Sequence, residues 1–328
     1  NNVDIIQTVE DDGKYNHHAV GFEGEHVYKV DQKIADKLKE FSKLLFQGTL
    51  RHSYPHSWRS KAPLIYRNTP QWFISMEKKD LRNIALKSID ETIFYPPQGQ
   101  TRLRSMIETR PDWCVSRQRV WGVPLPLFIN KKTGHPLRDE KIINRIADIY
   151  EKEGSNTWFT EDPQRFLGEE YSSSDFEQVK DVVEVWFDSG STHAFCLEQR
   201  SDLKWPASMY LEGSDQHRGW FHSSLLESSG TRGRAPYESV LTHGFVVDGK
   251  GRKMSKSLGN VISPDEILKQ YGVDILRLWV VASDYYDDLK LDKGILQSQA
   301  ESYRRIRNTF RFLIGNLNDF KDDEIIEE

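Results

Sequence analysis

The chain has 328 residues, enough for about two domains, with 37% hydrophobic residues, 29% charged residues and a formal net charge of −5. Its 12% aromatic content excludes a disordered chain, and no apolar run approaches the roughly 18 residues of a membrane span. The negative charge excludes general coating of nucleic acid, although a local basic face can still bind RNA.

The cysteine content and the first residues bear on location and metal binding. Cys114 and Cys196 are too few for a disulfide framework, and their spacing gives no zinc pattern. Residues 1–4 are acidic and contain no apolar signal core. We therefore expect a cytoplasmic protein with no metal site, and no zinc in particular, and with no membrane segment.

The first part of the chain mixes a helix with strand-like runs. Apolar residues at helical spacing predict an amphipathic helix over residues 32–46, ended by Gly48. The apolar runs 63–66 and 71–75 predict two buried strands. His52 and His56 lie between these elements and suggest a metal pair, but ordinary packing is the favoured interpretation because no Cys or acidic partner is nearby.

In the middle of the chain, isoleucines at helical spacing predict a second helix over 140–151. The segment 154–174 is rich in Ser, Glu, Asp and Gly, which predicts a polar, irregular excursion. Strands are then predicted over 182–187, 209–211 and 240–247. Strands that alternate with helices indicate a parallel α/β sheet, in which ligands bind at the carboxyl ends of the strands.

The last part is predicted to be helical. Ser263 and Pro264 have the positions of an N-cap and a first helical residue, and Gly272 is a suitable end. Residues 303–313 carry an apolar stripe. A neighbouring face carries Arg304, Arg307 and Arg311. Contact with RNA phosphates and a solvated helix face are equally good interpretations of those arginines.

The pentapeptide Lys-Met-Ser-Lys-Ser at 253–257 is the most informative motif. It follows a predicted strand and is bracketed by glycines, which permit a close-approaching backbone. Two ammonium groups offset negative charge, and hydroxyls donate hydrogen bonds, so the motif suits a polyphosphate. For an isolated Lys-Ser loop, however, a solvated basic turn is the commoner outcome.

Two more segments are candidates. Residues 211–220 place carboxylate and amide groups beside glycines at a strand end, where they suit a ribose diol and a substrate ammonium; a helix cap and a structural tryptophan are an equal alternative. Residues 112–124 contain two arginines, two tryptophans and a Gly-Val-Pro turn, which suits binding of carboxylate or phosphate. Composition alone favours a packed loop there.

Taken together, the three segments resemble class I aminoacyl-tRNA synthetases. Residues 253–257 match the second signature of that class, and 113–126 resemble a segment shared by its isoleucine, valine and leucine branches. Residues 211–221 with 242–245 resemble the isoleucine branch. The resemblance covers nearly the whole chain. It implies an α/β fold: the second half of a Rossmann-like parallel sheet with small insertions, followed by a helical stem-contact region.

The resemblance also implies a division of the chain. Residues 1–68 would be the end of the inserted editing domain, and 69–247 the second half of the catalytic nucleotide-binding domain. Residues 248–296 would hold the lysine motif and the stem-contact region. Residues 297–328 would form the first helix of the anticodon-binding bundle.

The implied reaction activates L-isoleucine with ATP and Mg²⁺ as substrate and then transfers it to tRNA(Ile), in a monomer. The carboxylate attacks the α-phosphate in line, and positioning and charge do most of the work. Lys253 and Lys256 would steady the departing polyphosphate. Trp186 and Trp220 would form walls of the isoleucine pocket. The ATP and adenylate site would be lined by Glu212, Gly213, Asp215, Gln216, His243, Ser255 and Ser257.

The sequence departs from the family pattern in what it lacks. The His-x-Gly-His signature occurs nowhere, and the threonine-rich strand and catalytic aspartate of the editing pocket have no match. The zinc-binding cysteines of some members are also absent. We therefore expect an internal fragment with an incomplete active site, inactive alone.

Two other functions fit part of this pattern. One is a valine or leucine enzyme of the same class, against which Trp220 after Gly219 argues. The other is a non-catalytic, synthetase-derived tRNA-binding protein, against which the intact 253–257 motif argues.

Overall fold

The computed structural model describes residues 6–57 and 60–321. It divides into two compact units, Asn1–Trp72 and Phe73–Glu328. Residues 1–5, 58–59 and 322–328 lie outside the described residues. The start of the predicted 1–68 segment and the end of the predicted 297–328 segment therefore lie outside them too.

The first unit contains helix α1 (Asp31–Glu40) and a short 3₁₀ turn, Val27–Lys29. The prediction that the helix continues to residue 46 is wrong. Ser42 adopts the left-handed conformation, with φ 53°, and its N–H donates to the carbonyl of Lys39. This arrangement ends a helix, and Leu45 beyond it is fully exposed.

The predicted buried strand at 63–66 is also wrong. Leu64 and Tyr66 are exposed, and only Pro63 forms a strand-like bridge, with His56. The carbonyl oxygen of Leu64 accepts hydrogen bonds from the hydroxyls of Tyr28, at 2.7 Å, and Tyr54, at 2.9 Å. Side chains therefore satisfy a backbone group that a neighbouring strand would otherwise satisfy.

The second unit holds the remaining regular elements. Its helices are α2 (Leu81–Asp90), α3 (Gln98–Glu108), α4 (Glu140–Glu153), α5 (Thr157–Thr160), α6 (Pro163–Leu167), α7 (Val185–Gly190), α8 (Trp220–Arg232), α9 (Pro264–Tyr271), α10 (Val273–Ala282) and α11 (Lys293–Asn316). Its strands are β1 (Phe73–Ile74), β2 (Ile93–Tyr95), β3 (Trp113–Cys114), β4 (Ser116–Arg117), β5 (Phe128–Asn130), β6 (Phe176–Gln178), β7 (Val182–Val183), β8 (Tyr210–Gly213), β9 (Ser239–His243), β10 (Val246–Asp248) and β11 (Leu289–Leu291).

A three-stranded parallel sheet in the order β2-β9-β8 organises this unit. Val240 at its centre is completely buried, and Phe94 and Tyr210 on the flanking strands are nearly so. Helix α8 packs against α2 and α7 and buries most of its residues, including four serines whose small side chains allow close approach. The sheet and its helices confirm the predicted α/β class.

The predicted strands are confirmed only in part. β8 and β9 lie where the sequence places strands, but the 240–247 segment is two strands, broken at Gly244 and Phe245. The 182–187 prediction is wrong beyond Val183, because the chain turns there into helix α7, which packs against α8. The 71–75 strand shortens to β1, in which Phe73 is exposed.

The polar segment 154–174 is not an irregular excursion. It contains α5 and α6, whose Trp158, Phe166 and Leu167 are fully buried. These side chains pack with two isoleucines of α4, which extends slightly beyond its predicted end. Although most residues of this segment are polar, its three large apolar side chains are enough to complete a small hydrophobic core.

The C-terminal part joins a two-stranded parallel sheet, β10 and β11, to helices α9–α11. Ser263 caps α9 by accepting from the N–H of Glu266, and Pro264 is its first residue, which confirms both predictions. Helix α11 begins at Lys293. Arg304, Arg307 and Arg311 on this helix are exposed, as are most of the residues around them. No described helix is both long and apolar enough to cross a membrane.

Candidate active site

The carboxyl ends of β8 and β9 bring together the first group of predicted site residues, which we call the carboxyl edge: residues 212–216 and His243. Gly213 pairs with His243 in the parallel register. Gly213 is buried, and the ring of Phe245 packs against it, while Glu212 is exposed beside it. The Nδ1 atom of His243 lies 2.7 Å from the carbonyl oxygen of Gly244. Two adjacent strand ends therefore bring a carboxylate and an imidazole to the same edge of the sheet.

A single turn of 3₁₀ helix, Ser214–Arg218, carries the next two residues. Asp215 is exposed. The Oε1 atom of Gln216 instead accepts from the N–H of Trp220, at 2.9 Å, and so fixes the start of α8. Gln216 therefore has a structural role that the sequence did not indicate, besides its place at the edge.

The two predicted pocket tryptophans meet at Gly219. The ring of Trp186 lies so close to Gly219 that an added Cβ would be 2.9 Å from it. Trp220 stacks on Tyr210, with ring centroids 4.0 Å apart and planes 5° apart, and its indole N–H donates to the Ser189 carbonyl. Trp220 is thus held rigidly, whereas Trp186 is 40% exposed and available for an apolar contact.

The lysine loop, residues 253–257, follows the turn after β10. Lys253 forms an antiparallel bridge with Val247. Asp248 anchors the turn by accepting from the backbone N–H groups of Lys250 and Arg252 and from the side chain of Arg252. Asn260 ties the far side of the loop to the same carboxylate.

Asn260 also accepts from the Ser255 N–H, at 2.9 Å, and donates to the Lys253 carbonyl. The hydrogen bonds that Asp248 accepts from Asn260 and Arg252 hold its pKa well below the usual range of an aspartate. The anchor therefore stays ionised throughout the physiological pH range.

The side chains of the lysine loop divide into anchored and exposed groups. Met254 packs against the apolar cluster around Trp279. The hydroxyl of Ser255 caps the short helix Lys256–Leu258 and lies 3.2 Å from the hydroxyl of Ser257. Lys253 and Lys256 are exposed and, among the described residues, have no ion-pair partner. An anchored backbone thus presents two unpaired ammonium groups.

The carboxyl edge and the lysine loop lie on neighbouring elements. Gly213 and His243 are paired, and Val247, the bridge partner of Lys253, is only four residues beyond His243. Because a chain spans at most about 3.5 Å per residue and paired strands lie about 5 Å apart, the Cα atoms of Gly213 and Lys253 are at most about 25 Å apart. This upper limit places the two groups of residues in the same region of the second unit.

A partly buried acidic group in the same unit is not indicated by the sequence. Glu227 on α8 lines a cavity of about 410 Å³ with Trp113, Phe187 and His193, and its Oε1 has no partner among the described residues. Burial first, then the charges of Asp188 and Glu184, raises the pKa of Glu227 to about 9. In the sequence, Glu227 is simply one polar residue in a run that also contains several serines, so no pattern marks it.

We expect Glu227→Gln to stabilise the fold at alkaline pH. Since the folded-state pKa of Glu227 is raised, folding favours its protonated form, and the resulting stability is lost as pH rises from about 4.5 towards 9. The neutral amide avoids this loss. Urea unfolding at pH 8 should show the variant more stable by at least about 1 kcal/mol, and the gain should shrink at pH 5. An equal difference at both pH values would contradict the protonated state.

The histidine pair suggested by the sequence has other partners. The Nδ1 atoms of His52 and His56 lie 2.9 Å and 2.7 Å from the carbonyl oxygens of Ser53 and Tyr54. Within residues 6–57 and 60–321, no group of three or more His, Cys, Asp or Glu side chains has the arrangement of a metal site.

Comparison with known proteins identifies close relatives. The chain is 66% identical to the isoleucine–tRNA ligase of Pelagibacter ubique (strain HTCC1062) over 317 residues, which cover 97% of this chain and 35% of that protein. It is 52% identical to the isoleucine–tRNA ligase of Geobacter sulfurreducens over 326 residues, 98% of this chain and 35% of that one. The chain therefore spans about a third of the length of these relatives.

A structure of Mycobacterium tuberculosis methionyl-tRNA synthetase bound by methionyl-adenylate aligns with 77% of this chain and 41% of its own, at 17% identity and a TM-score of 0.48. The family model for class I tRNA synthetases (I, L, M and V) matches residues 7–292. Since that match covers most of the chain and the sequence identities extend over nearly all of it, the chain belongs to the class I tRNA synthetase family.

Proposed function

We propose that the chain carries the second half of the catalytic domain of an isoleucine–tRNA ligase, which activates L-isoleucine with ATP and transfers it to tRNA(Ile). The observation that supports this most is the succession of β8, β9 and β10. It joins the carboxyl edge to the lysine loop within a short stretch of backbone. The high identity to two isoleucine–tRNA ligases supports the choice of amino acid.

The proposed role of the lysine loop is to stabilise charge. As the isoleucine carboxylate attacks the α-phosphate of Mg²⁺-bound ATP, negative charge grows on the departing pyrophosphate. Lys253 and Lys256 carry ammonium groups with no competing partner among the described residues, so both are available for that charge. The Asp248 and Asn260 anchor fixes the backbone from which they extend. Ser255 and Ser257 would add hydroxyl contacts.

The proposed role of the carboxyl edge is to hold the adenylate. Glu212 and Asp215 are exposed carboxylates that can accept from the ribose hydroxyls and the substrate ammonium. Gly213, packed against the ring of Phe245, would contribute backbone groups only, and His243 would lie beside the nucleotide. Gln216 would line the same cleft while holding the start of α8.

Trp186 and Trp220 would form walls of the isoleucine pocket. A pocket of this kind excludes larger side chains by steric clash. It rejects valine only weakly, because one methylene is worth about 1–3 kcal/mol, for which this type of enzyme is a standard illustration.

We further propose the division of the chain stated above: 1–68 from the editing domain, 69–247 from the catalytic domain, 248–296 as the lysine loop with the stem-contact region, and 297–328 as the first anticodon-bundle helix. We also propose a cytoplasmic monomer that uses ATP with Mg²⁺. Because no His-x-Gly-His signature occurs in the sequence, the chain alone would lack part of the ATP site.

Isoleucine-dependent exchange of pyrophosphate into ATP tests the proposal. We expect exchange with isoleucine by a protein that joins this chain to the remainder of the ligase, weaker exchange with valine, and none by the chain alone. Exchange that prefers valine or leucine would assign the chain to another branch. Adenylate formation by the isolated chain would refute the proposed incompleteness. No exchange by the joined protein with any of the three amino acids would refute the enzyme function.

A further inference from the structure

A second, polar cavity of about 600 Å³ lies between the end of α3 and the start of α8. None of the described residues that line it is acidic. Its polar lining, which we call the arginine pocket, consists of Ser105, Thr109, Arg110, Arg218 and His222. A cavity whose charged side chains are all cationic is the expected environment of an anion.

Arg110 is held in place without an ion-pair partner among the described residues. Its guanidinium lies over the ring of Trp113, 5.6 Å from the centroid, and its buried Nε has no hydrogen-bond partner among the described residues. Burial lowers the pKa of Arg110, and the negative charge of Glu184 raises it to a smaller extent. A guanidinium nevertheless remains charged in proteins. A buried N–H without an acceptor is costly, and a bound oxyanion would supply that acceptor.

The positive charges of Arg110 and Arg218 both act on the same side chain, that of His222. It is only 5% exposed, and its Nε2 atom is likewise unpartnered among the described residues. Burial first, then the charge of Arg110 and, more weakly, that of Arg218, lowers the pKa of His222 to about 3. Neither arginine has an ion-pair partner in the described part of the chain. Two cations without an ion-pair partner in the described structure therefore lie beside one buried, neutral imidazole.

The hydroxyl groups of the pocket are already used as donors. Ser105 donates to the carbonyl of Arg102, and Thr109 donates to that of Ser105. The two guanidinium groups are therefore the charged donors left for a ligand. Their planar arrangement of N–H groups matches the oxygens of a phosphate, which it can bind in pairs.

We infer that the arginine pocket binds a phosphate group through Arg110 and Arg218. This inference goes beyond the proposed function and does not depend on it, since neither residue is assigned to the adenylate site. Inorganic phosphate and the phosphodiester of an RNA backbone offer the same chemistry. The test must therefore separate these two sources.

The chain itself is titrated with inorganic phosphate by calorimetry, and with a short RNA duplex by fluorescence anisotropy, at constant ionic strength. We expect Arg110→Gln and Arg218→Gln each to weaken binding by at least about tenfold, because each removes a charged pair of hydrogen bonds. Arg138→Gln makes the same charge change at an exposed position and should alter affinity less than about twofold. Circular dichroism checks the fold of each variant. If the Arg110→Gln variant is unfolded, the affinity of the Arg218→Gln variant decides the test, because Arg218 is exposed.

The outcomes separate the two sources and can overturn the inference. Duplex binding that requires the arginines and is displaced by inorganic phosphate would identify a backbone phosphate as the ligand. Arginine-dependent binding of inorganic phosphate alone would identify the free ion. Equal affinities of the wild type and both variants for both probes would overturn the inference, as would no binding of either probe.

Discussion

Lys256→Ala is expected to lower the rate of isoleucine activation by about 100-fold or more in a ligase that contains this chain. Lys256 is exposed in the short helix Lys256–Leu258 and has no partner in the described structure, so its removal creates no cavity and breaks no ion pair. The loss should appear in kcat of pyrophosphate exchange, because the ammonium acts on charge that develops in the transition state. The melting temperature should be unchanged.

Lys250→Ala is the matched control for this prediction. Lys250 is an exposed lysine of the preceding turn, and its backbone N–H rather than its side chain bonds to Asp248. Its substitution should change kcat by less than about twofold. Equal losses from the two variants would mean that general positive charge, and not the position of Lys256, supports activation. No loss from Lys256→Ala would remove its proposed role.

Gly244→Ala should destabilise the fold strongly, by about 3 kcal/mol or more. Gly244 follows β9, its N–H donates to the carbonyl of Tyr285, and the next N–H donates to the side chain of Asp288. An added Cβ would overlap the backbone carbonyl of Asp287. A backbone group cannot rotate away as a side chain can, so the segment that precedes β11 must move. Urea unfolding at neutral pH measures the loss.

Gly315→Ala is expected to have the opposite effect on the stability of the same protein. Gly315 lies near the end of α11, and an added Cβ there meets nothing within 4 Å. Replacing a helical glycine by alanine at an open position should stabilise the fold by about 0.5–1 kcal/mol. Similar free energies of unfolding for the two variants would show that the contact between Gly244 and Asp287 is not as close as the structure describes.

The sequence predicted the parts of the fold that local chemistry controls. Ser263 and Pro264 specify the start of α9 because a serine hydroxyl caps free N–H groups and proline needs no donor there. The parallel strands β8 and β9 were placed because apolar runs ended in polar loops. The lysine loop was recognised by its residue types and its glycines, and the structure shows it as an anchored turn.

The errors arose where tertiary contacts override local pattern. The run at 182–187 has the apolar content of a strand, but β7 ends at Val183 and α7 packs on α8 instead. Strand β2 is only three residues long and was missed, although its pairing with β9 completes the sheet. Trp158 lies in a polar segment, and only its neighbours in space show that it is a core residue.

The roles of buried polar groups were equally invisible in the sequence. In the sequence, Glu227, Arg110 and His222 are ordinary residues of helices and loops. Their shifted pKa values arise mainly because packing in the folded chain desolvates their side chains. Asp248 shows no motif of its own, yet it organises the turn before the lysine loop. Sequence patterns indicate which side chains can bind or react, whereas desolvation and hydrogen bonding are properties of the assembled fold.

Amide hydrogen exchange of the proposed ligase that contains this chain, with a non-hydrolysable isoleucyl-adenylate analogue, tests most directly whether the carboxyl edge and the lysine loop form one site. We predict slower exchange of amides both within 212–216 and within 253–257 when the analogue is bound. Protection confined to one of the two segments, or absent from both, would contradict a shared adenylate site.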